Sequence, residues 1–597
     1  MTTSEDAAVA KLDKMSDNLK RVEELSQRLI EVMAHHQPMR KSLTGPNEDV
    51  FSNAATAYWA KAMENPGAIF EQQMAFWGKS VKHFIEAQHM FAQGKFEPPA
   101  DSTPQDRRFA NPLWQSNPYF NFVKQQYMLN SQAVRDSVAA MEDLDETQRR
   151  RINYFADQIV EMMCPTNFLS TNPDALEKAV ETEGQSLVDG LENLIRDLEE
   201  NNGELIVKLA DEKAFELGGN VATTEGAVVY RNEMMELIQF SPSTDEVHEI
   251  PLVIFPPWIN KYYILDLKEK NSLIKWIVDQ GYTVFIVSWL NPDPSHAEIG
   301  MEDYIQDGYL RAIEEVKSIT DQKQVNAVGY CIAGTTLNLT LSLMKKRGDK
   351  SVKSATFFTT LTDFSDQGEF TPFLQNDFID GIERECEQQG VLRSLIMQRT
   401  FSFLRSNDLI YGPAIKSYMM GEAPATFDLL FWNGDGSGLP GKMAVEYLRG
   451  LCQRNEFVGE GFDLFGEKLS IKDVTIPTMS ITCETDHIAA WKDCYRGYQQ
   501  SGSRSKNFVV SESGHIAGIV NPPSKKKYGH YTNADMKGSA EEWMDGATYN
   551  EGSWWPTWDA WLSPKSGKKV PARAPGDSDH PVLCAAPGEY VKKKAFK

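Results

Sequence analysis

One cysteine in this chain is surrounded by the residue types that turn a thiol into a nucleophile. Cys331 sits in Val328-Gly329-Tyr330-Cys331-Ile332-Ala333-Gly334, after an apolar run and at the head of a helical pattern. That is the setting of a nucleophile elbow, a strained strand-to-helix turn that presents the attacking atom at a sheet edge. Small residues two before and two after the nucleophile let strand and helix approach; here they are Gly329 and Ala333, with Gly334 behind. The helix N-terminus adds N–H groups and positive potential, which favour a thiolate and steady an oxyanion. A buried structural cysteine after a strand would fit the same seven residues, so partners decide. In this kind of site they follow in the order nucleophile, acid, base. Asp486 closes the run TMSITCETD (478–486), and His515 lies in VVSESGHIAG (509–518). His487 competes as a base or supporting residue, and His530 lies in a charged, loop-like stretch. The first oxyanion donor is expected to be the N–H of Ile332. In PLVIFPPWIN (251–260), Pro256 and Pro257 have no N–H, so the second donor must be Trp258 or Ile259.

These residues need a scaffold that brings distant strand ends together. From about residue 221, short apolar runs alternate with helical stretches. Strands are predicted at 251–257, 282–289, 324–330, 355–363 and 478–486, with helices at 273–281, 304–320 and 331–348. Such alternation means βαβ units and a mostly parallel sheet, whose strands are buried on both faces and so read as continuous apolar runs. Ligands of an open α/β sheet bind at the carboxyl ends of its strands, where Cys331, Asp486 and His515 all fall. The stretch 364–477 is far longer than a crossover needs and is expected to be a lid or cap.

The first two hundred residues read as all-helical. Residues 1–40 form an amphipathic extension with Leu12, Met15, Leu19, Val22, Leu29 and Met33 at heptad a/d positions, broken at Ser26 and ended by Pro38. It either packs on its own body or docks a second chain. A helical N-terminal domain follows over 41–215, with an aromatic-rich pattern at 48–95 and a linker at 96–104. The catalytic domain is expected at 216–597. The fold class is thus α/β, an α/β-hydrolase fold with a lid insertion behind an all-α N-terminal domain.

Composition narrows the function. A net charge of −23 argues against nucleic acid as the partner. Seven scattered cysteines, with no CxxC pair, make neither a disulfide framework nor a zinc site, and they fit a reducing cytoplasm. No metal and no cofactor site is expected. The N-terminal sequence lacks a signal peptide's apolar core, and no run approaches the ~18 apolar residues of a membrane span. A soluble protein is expected, with any contact to a membrane or polymer peripheral.

Together these residues resemble the polyhydroxyalkanoate synthases, class I in particular. The likeness is carried by PPWINKYYILDL (256–267), VSWLNPD (287–293), GYCIAGT (329–335), LTDFSDQGE (361–369), NDLIYG (407–412), FDLLFWNGD (427–435), DHIAAW (486–491), SGHIAGIVNPP (513–523) and GSWWPTWDAWL (552–562), and NPLWQSNPYFNFVKQQYMLNSQ (111–132) resembles the start of that family's N-terminal domain. It spans roughly 110–565. The family often has Cys where this chain has Trp258, Arg at Leu290 and Gly at Ala333, so a second catalytic thiol at position 258 has no support here.

The resemblance implies an acyltransferase that polymerises (R)-3-hydroxyacyl-CoA, releases CoA, and works as a homodimer on the surface of cytoplasmic polymer granules. CoA would be part of the substrate and a product rather than a cofactor. A thioesterase, esterase or polyester depolymerase with a Cys elbow would share the same three residues. Polymerisation also needs water kept from an acyl-cysteine. The 364–477 insertion and Trp554, Trp555, Trp558 and Trp561 are candidates, the tryptophans alternatively being core.

Overall fold

Apolar runs that need cover on both faces set the architecture of the larger part of the chain. In the computed structural model, which describes residues 2–35, 106–141, 144–201, 203, 205–366 and 368–596, the chain divides into two units. One is Met1–Asp211 with Arg399–Thr426, and the other is Glu212–Gln398 with Phe427–Lys597. Residues 399–426, inside the stretch expected as a lid, thus belong with the first unit. Pro38, the 48–95 pattern and the 96–104 linker lie outside the described residues.

The first unit is helical. Helix α1 (Thr2–His35) runs along α5 (Gln185–Glu200), with α2 (Pro118–Ala139), α3 (Glu146–Met162) and α4 (Pro173–Glu181) between them in sequence. Each start is written locally. Asn117 accepts the Tyr119 N–H ahead of Pro118, Asp145 forms a capping box with Gln148, and Asn172 caps Ala175. The seam of α1 differs from the expected one. Leu25 is buried against Val188 and Ile195, with Val22, Leu29, Val32 and Leu191 packed around them, whereas Leu19 is 48% and Met33 62% exposed. The apolar residues of α1 form two adjacent stripes, and contact with α5 buries the one through 22, 25, 29 and 32. Ion pairs Arg21–Glu192 and Arg28–Glu199 flank it. A second core gathers Phe109, Trp114, Phe120, Tyr127, Val160 and Cys164.

The second unit is built on an eleven-stranded sheet. Its strands are β1 (Gly226–Arg231), β2 (Met235–Phe240), β3 (Leu252–Phe255), β4 (Val284–Trp289), β5 (Val325–Tyr330), β6 (Val352–Phe358), β7 (Thr478–Cys483), β8 (Lys506–Ser511), β9 (His530–Asn533), β10 (Thr548–Asn550) and β11 (Cys584–Ala585). The spatial order is β10-β9-β8-β7-β6-β5-β3-β4-β2-β1-β11. Strands β4, β3, β5, β6, β7 and β8 are parallel; antiparallel strands flank them on both sides. All four residues of β3 are fully buried, each contributing roughly 1.5–3 kcal/mol by leaving water.

Several expected strands end early. The 355–363 run stops at Phe358 because Thr359 turns to φ 41°, and 478–486 stops at Cys483. Register then aligns the functional ends: Tyr330 pairs with Phe358, and Cys483 with Ser511. Helix α6 (Ile332–Lys346) starts directly at the end of β5. Among the described residues no helix is long and apolar enough to cross a membrane.

Candidate active site

The turn at the end of β5 is strained. Cys331 has φ 54° and ψ −125°, a backbone conformation that costs about 1–3 kcal/mol for a residue with a side chain. It is held from both sides. Its N–H donates to Phe358 O at 2.8 Å, and its carbonyl accepts the N–H groups of Gly334 (2.9 Å) and Thr335 (3.3 Å). The glycines are there for space: a Cβ on Gly329 would come within 2.6 Å of the Gly334 Cα, and one on Gly334 would overlap the Thr360 side chain. The close strand-to-helix contact is therefore Gly329 on Gly334, while the buried Ala333 offers its carbonyl to the Tyr309 hydroxyl at 3.0 Å. Cys331 is half-buried, whereas Cys386, Cys452, Cys483 and Cys494 are buried. Burial pushes the Cys386 and Cys452 thiols up to about 12 and those of Cys483 and Cys494 well above the usual thiol range.

Asp486 lies in the loop after β7, and both its carboxylate oxygens are engaged. Oδ1 accepts the N–H groups of Ile488 (2.8 Å) and Ala489 (2.9 Å). Oδ2 lies 2.7 Å from His515 Nδ1, with the Asp486 side chain fully shielded from solvent. That contact leaves Nε2 unused by Asp486, and the Cys331 sulfur is close enough to act electrostatically on this imidazole. Burial disfavours the charged ring, but the Asp486 carboxylate and the Cys331 sulfur outweigh it and push His515 up to about 10. His487, next to Asp486, is half-buried; the ring that meets the carboxylate is that of His515.

Three sets of contacts could not be read from the sequence. The Tyr330 hydroxyl donates to the His515 carbonyl at 3.1 Å, and its ring stacks on the imidazole at 5.8 Å. Trp554 and Trp555 donate their indole N–H groups to Gly518 O (2.8 Å) and Ile519 O (2.9 Å), pinning the segment that follows the histidine. Trp558 donates to Thr356 Oγ1 at 2.9 Å. These three tryptophans are buried in the core, so the aromatic C-terminal stretch packs and anchors. The adjacent tryptophan pair was visible in the sequence, but its partners, 36 residues away, were not.

On the opposite side, Pro257 begins a turn closed by the Asn260 N–H on its carbonyl at 3.3 Å. Within it the N–H groups of Trp258 and Ile259 have no hydrogen-bond acceptor among the described residues. Ile332 is the first residue of α6, so its N–H has no intrahelical acceptor either. The Trp258 side chain is buried, donates Nε1–H to Thr336 Oγ1 at 3.2 Å and packs on Tyr304 and Tyr447. Tyr447 and Phe364 in turn form an edge-to-face pair at 6.1 Å. Among the described residues no group of His, Cys, Asp and Glu could hold a metal ion.

An elbow at the end of a parallel strand, a carboxylate and an imidazole on the loops after two further strands, and unpaired N–H groups in the turn after another define a protein of the α/β-hydrolase fold, and residues 251–522 match that fold family. Residues 105–277 match the family described as Poly-beta-hydroxybutyrate polymerase (PhaC) N-terminus. The chain is 38% identical over 544 residues to the poly(3-hydroxyalkanoate) polymerase subunit PhaC of Rhizobium etli, covering 90% of this chain and 85% of the relative. It is 40% identical to the corresponding subunit of Cupriavidus necator (86% and 87% covered) and 40% identical to the poly(3-hydroxyalkanoate) polymerase of Methylorubrum extorquens (84% and 82% covered). The chain belongs to the poly(3-hydroxyalkanoate) polymerase family.

Proposed function

We propose that this chain is an acyltransferase that polymerises (R)-3-hydroxyacyl-CoA, with 3-hydroxybutyryl-CoA as the expected monomer, through an acyl thioester on Cys331. The observation that carries the reading is the His515–Asp486 pair, with both carboxylate oxygens engaged, together with the strained Cys331 at the elbow, in a chain of this family. His515 takes the thiol proton, and Asp486 orients and stabilises the imidazolium. The upward shift of His515 favours the imidazolium once it has taken that proton. The thiolate attacks the thioester carbonyl. The oxyanion is received by the N–H of Ile332 and of Trp258 or Ile259, and CoA leaves as a thiol on taking up the proton from His515.

Because one thioester replaces another, the acyl group stays activated. The 3-hydroxyl of the next hydroxyacyl-CoA, deprotonated by His515 or Asp486, then attacks the acyl-cysteine. The new ester forms as the Cys331 thioester breaks, the thiolate takes back the proton, and the lengthened chain, now on CoA, can reacylate Cys331. No cofactor is needed, since CoA arrives on the substrate and departs as product. Trp258, Tyr447 and Phe364 give the site an apolar wall that keeps water from the intermediate. His487, the residue after Asp486, is assigned a supporting part.

The same reading places the enzyme, as a homodimer, at the surface of polymer granules in the cytoplasm. In support, Ile159, Met162 and Met163 at the end of α3, and Phe168 and Leu169 just after it, are exposed, an apolar surface suited to a polyester. The test is to incubate purified protein with (R)-3-hydroxybutyryl-CoA and measure free CoA and insoluble polymer together. Both should appear, and Cys331→Ala should yield neither. Free hydroxy acid without polymer would identify a hydrolase, and full activity of Cys331→Ala would remove the nucleophile.

A further inference from the structure

Two residues that the mechanism leaves unused, Lys261 of PPWINK (256–261) and Asp435 of FWNGD (431–435), meet beside the Trp258–Ile259 turn. Lys261 is buried, and its ammonium has three partners for its three protons: Asp435 Oδ1 at 3.0 Å, Val591 O at 2.6 Å and Lys593 O at 2.9 Å. Asp435 is equally engaged. It accepts the Tyr263 hydroxyl on Oδ2 at 3.0 Å and Lys594 Nζ on Oδ1 at 3.1 Å. The backbone of the turn is held as well. The Ser437 N–H donates to Ile259 O at 3.1 Å, and Trp432 Nε1–H donates to Lys261 O at 2.7 Å. Asn291 completes the clamp, donating to Lys593 O (3.3 Å) and Gly436 O (3.4 Å) and accepting the Gly438 N–H (3.1 Å).

A fully bonded buried ammonium three residues from Trp258 does more than fill space, because an apolar side chain would do that without desolvating a charge. Its bonds run from the turn to two chain segments remote in sequence, and it cannot shift without breaking them. An oxyanion donor is useful only when fixed at the position the oxyanion will occupy. We propose that Lys261 is a positioning residue for acyl transfer, tying the Trp258–Ile259 turn to Asp435 and to the Val591–Lys593 backbone so that the second oxyanion donor is held in place. This rests on the acyl-transfer reading above.

The experiment compares native protein with Lys261→Met in three assays: CoA release from (R)-3-hydroxybutyryl-CoA, nitrophenol release from 4-nitrophenyl acetate, and alkylation of Cys331 by iodoacetamide. Alkylation builds no oxyanion, so it reports the elbow and the histidine alone. Loosening the turn should lower kcat about 100-fold with KM within about threefold of native, and leave the alkylation rate unchanged. Asp435→Asn, which keeps the shape and one acceptor oxygen, should lose about tenfold in the same direction, and it decides the matter if Lys261→Met does not fold. Acyl transfer within about threefold of native in the variant that folds, or alkylation falling in parallel with it, overturns the proposal. If native protein releases no CoA from the hydroxyacyl thioester, the polymerase reading fails while nitrophenol release still tests the clamp. Absence of acyl transfer to native Cys331 from either substrate overturns both.

Discussion

The two sides of the candidate oxyanion site are built in opposite ways. The Cys331 side is local: the strained residue, the glycine that lets α6 approach β5, and the first N–H of the helix all fall within residues 329–334. Outside contacts come from Phe358 O on the neighbouring strand, from Thr360 just after it, and from the Tyr309 hydroxyl on the Ala333 carbonyl. The Trp258–Ile259 side has almost nothing local beyond a proline pair. Its conformation depends on Ser437, on Trp432, and on a lysine bonded to a carboxylate 174 residues away and to carbonyls more than 300 residues away. A short strained turn writes its requirements into consecutive positions, whereas a loop held by long-range bonds leaves no pattern at its own position.

The strongest challenge to this contrast is at the base, which shares features of both sides. His515 is held locally by its own loop and remotely by Asp486, 29 residues earlier. Asp486→Asn keeps the shape but removes the charge and frees the tautomer, and it should lower turnover by on the order of 10²–10⁴. Stability should respond as well. Against the opposing effect of burial, the carboxylate and the sulfur raise His515 to about 10, above the value of an unfolded histidine near 6.5. The protonated ring therefore adds stability that is fully present below pH ~6.5 and is lost as pH rises through about 10. The difference in melting temperature between native protein and Asp486→Asn should shrink across that window. A difference that stays constant with pH would mean the pair contributes by shape alone.

The local side is tested next at Gly334. An added methyl would overlap the Thr360 side chain, and forcing it in should destabilise by about 1–3 kcal/mol and tilt α6 away from the thiol. Because the overlap is with one side chain, Gly334→Ala combined with Thr360→Ala should recover part of both stability and activity. A double-mutant cycle by thermal melting and CoA release checks this. Purely additive losses would show that the strain is spread over the turn.

The same distinction explains what could be read from the sequence. The parallel centre of the sheet was legible because strands covered on both faces are apolar throughout. The flanking antiparallel strands were not. Strand β2 carries Glu236 and Gln239 at fully buried positions, which breaks any apolar run. Glu236 is tolerated there because it accepts Arg231 Nε (2.8 Å) and the backbone N–H groups of Glu589 and Tyr590 (2.9 Å each), the last two lying hundreds of residues later. Strands β9 and β10 are short and polar. In α1 the a/d count located the helix but chose the neighbouring stripe, since two apolar stripes share Val22 and Leu29 and only contact with α5 selects between them. Cys331, Asp486 and His515 could be proposed because each follows a strand, in an order the elbow dictates. Tyr330 and Lys261 could not be assigned roles, since what each does is set by a partner in a distant segment.

The smallest expected effect separates anchoring from chemistry on the histidine loop. Trp554 and Trp555 both hold the segment after His515, and neither touches the ring's reacting nitrogen. Trp555→Phe keeps the aromatic bulk against Trp276 but deletes the indole N–H bond to Ile519 O. The cost should be about 1 kcal/mol, that of one neutral hydrogen bond together with a buried carbonyl left unpaired. Turnover should change by no more than a few-fold, because the Tyr330 hydroxyl and the Trp554 indole still fix the loop on either side. Melting temperature and CoA release measured on the same preparation decide it. If activity falls by orders of magnitude while stability hardly moves, the tryptophan does more than anchor, and the histidine side depends on long-range bonds as heavily as the Trp258–Ile259 side.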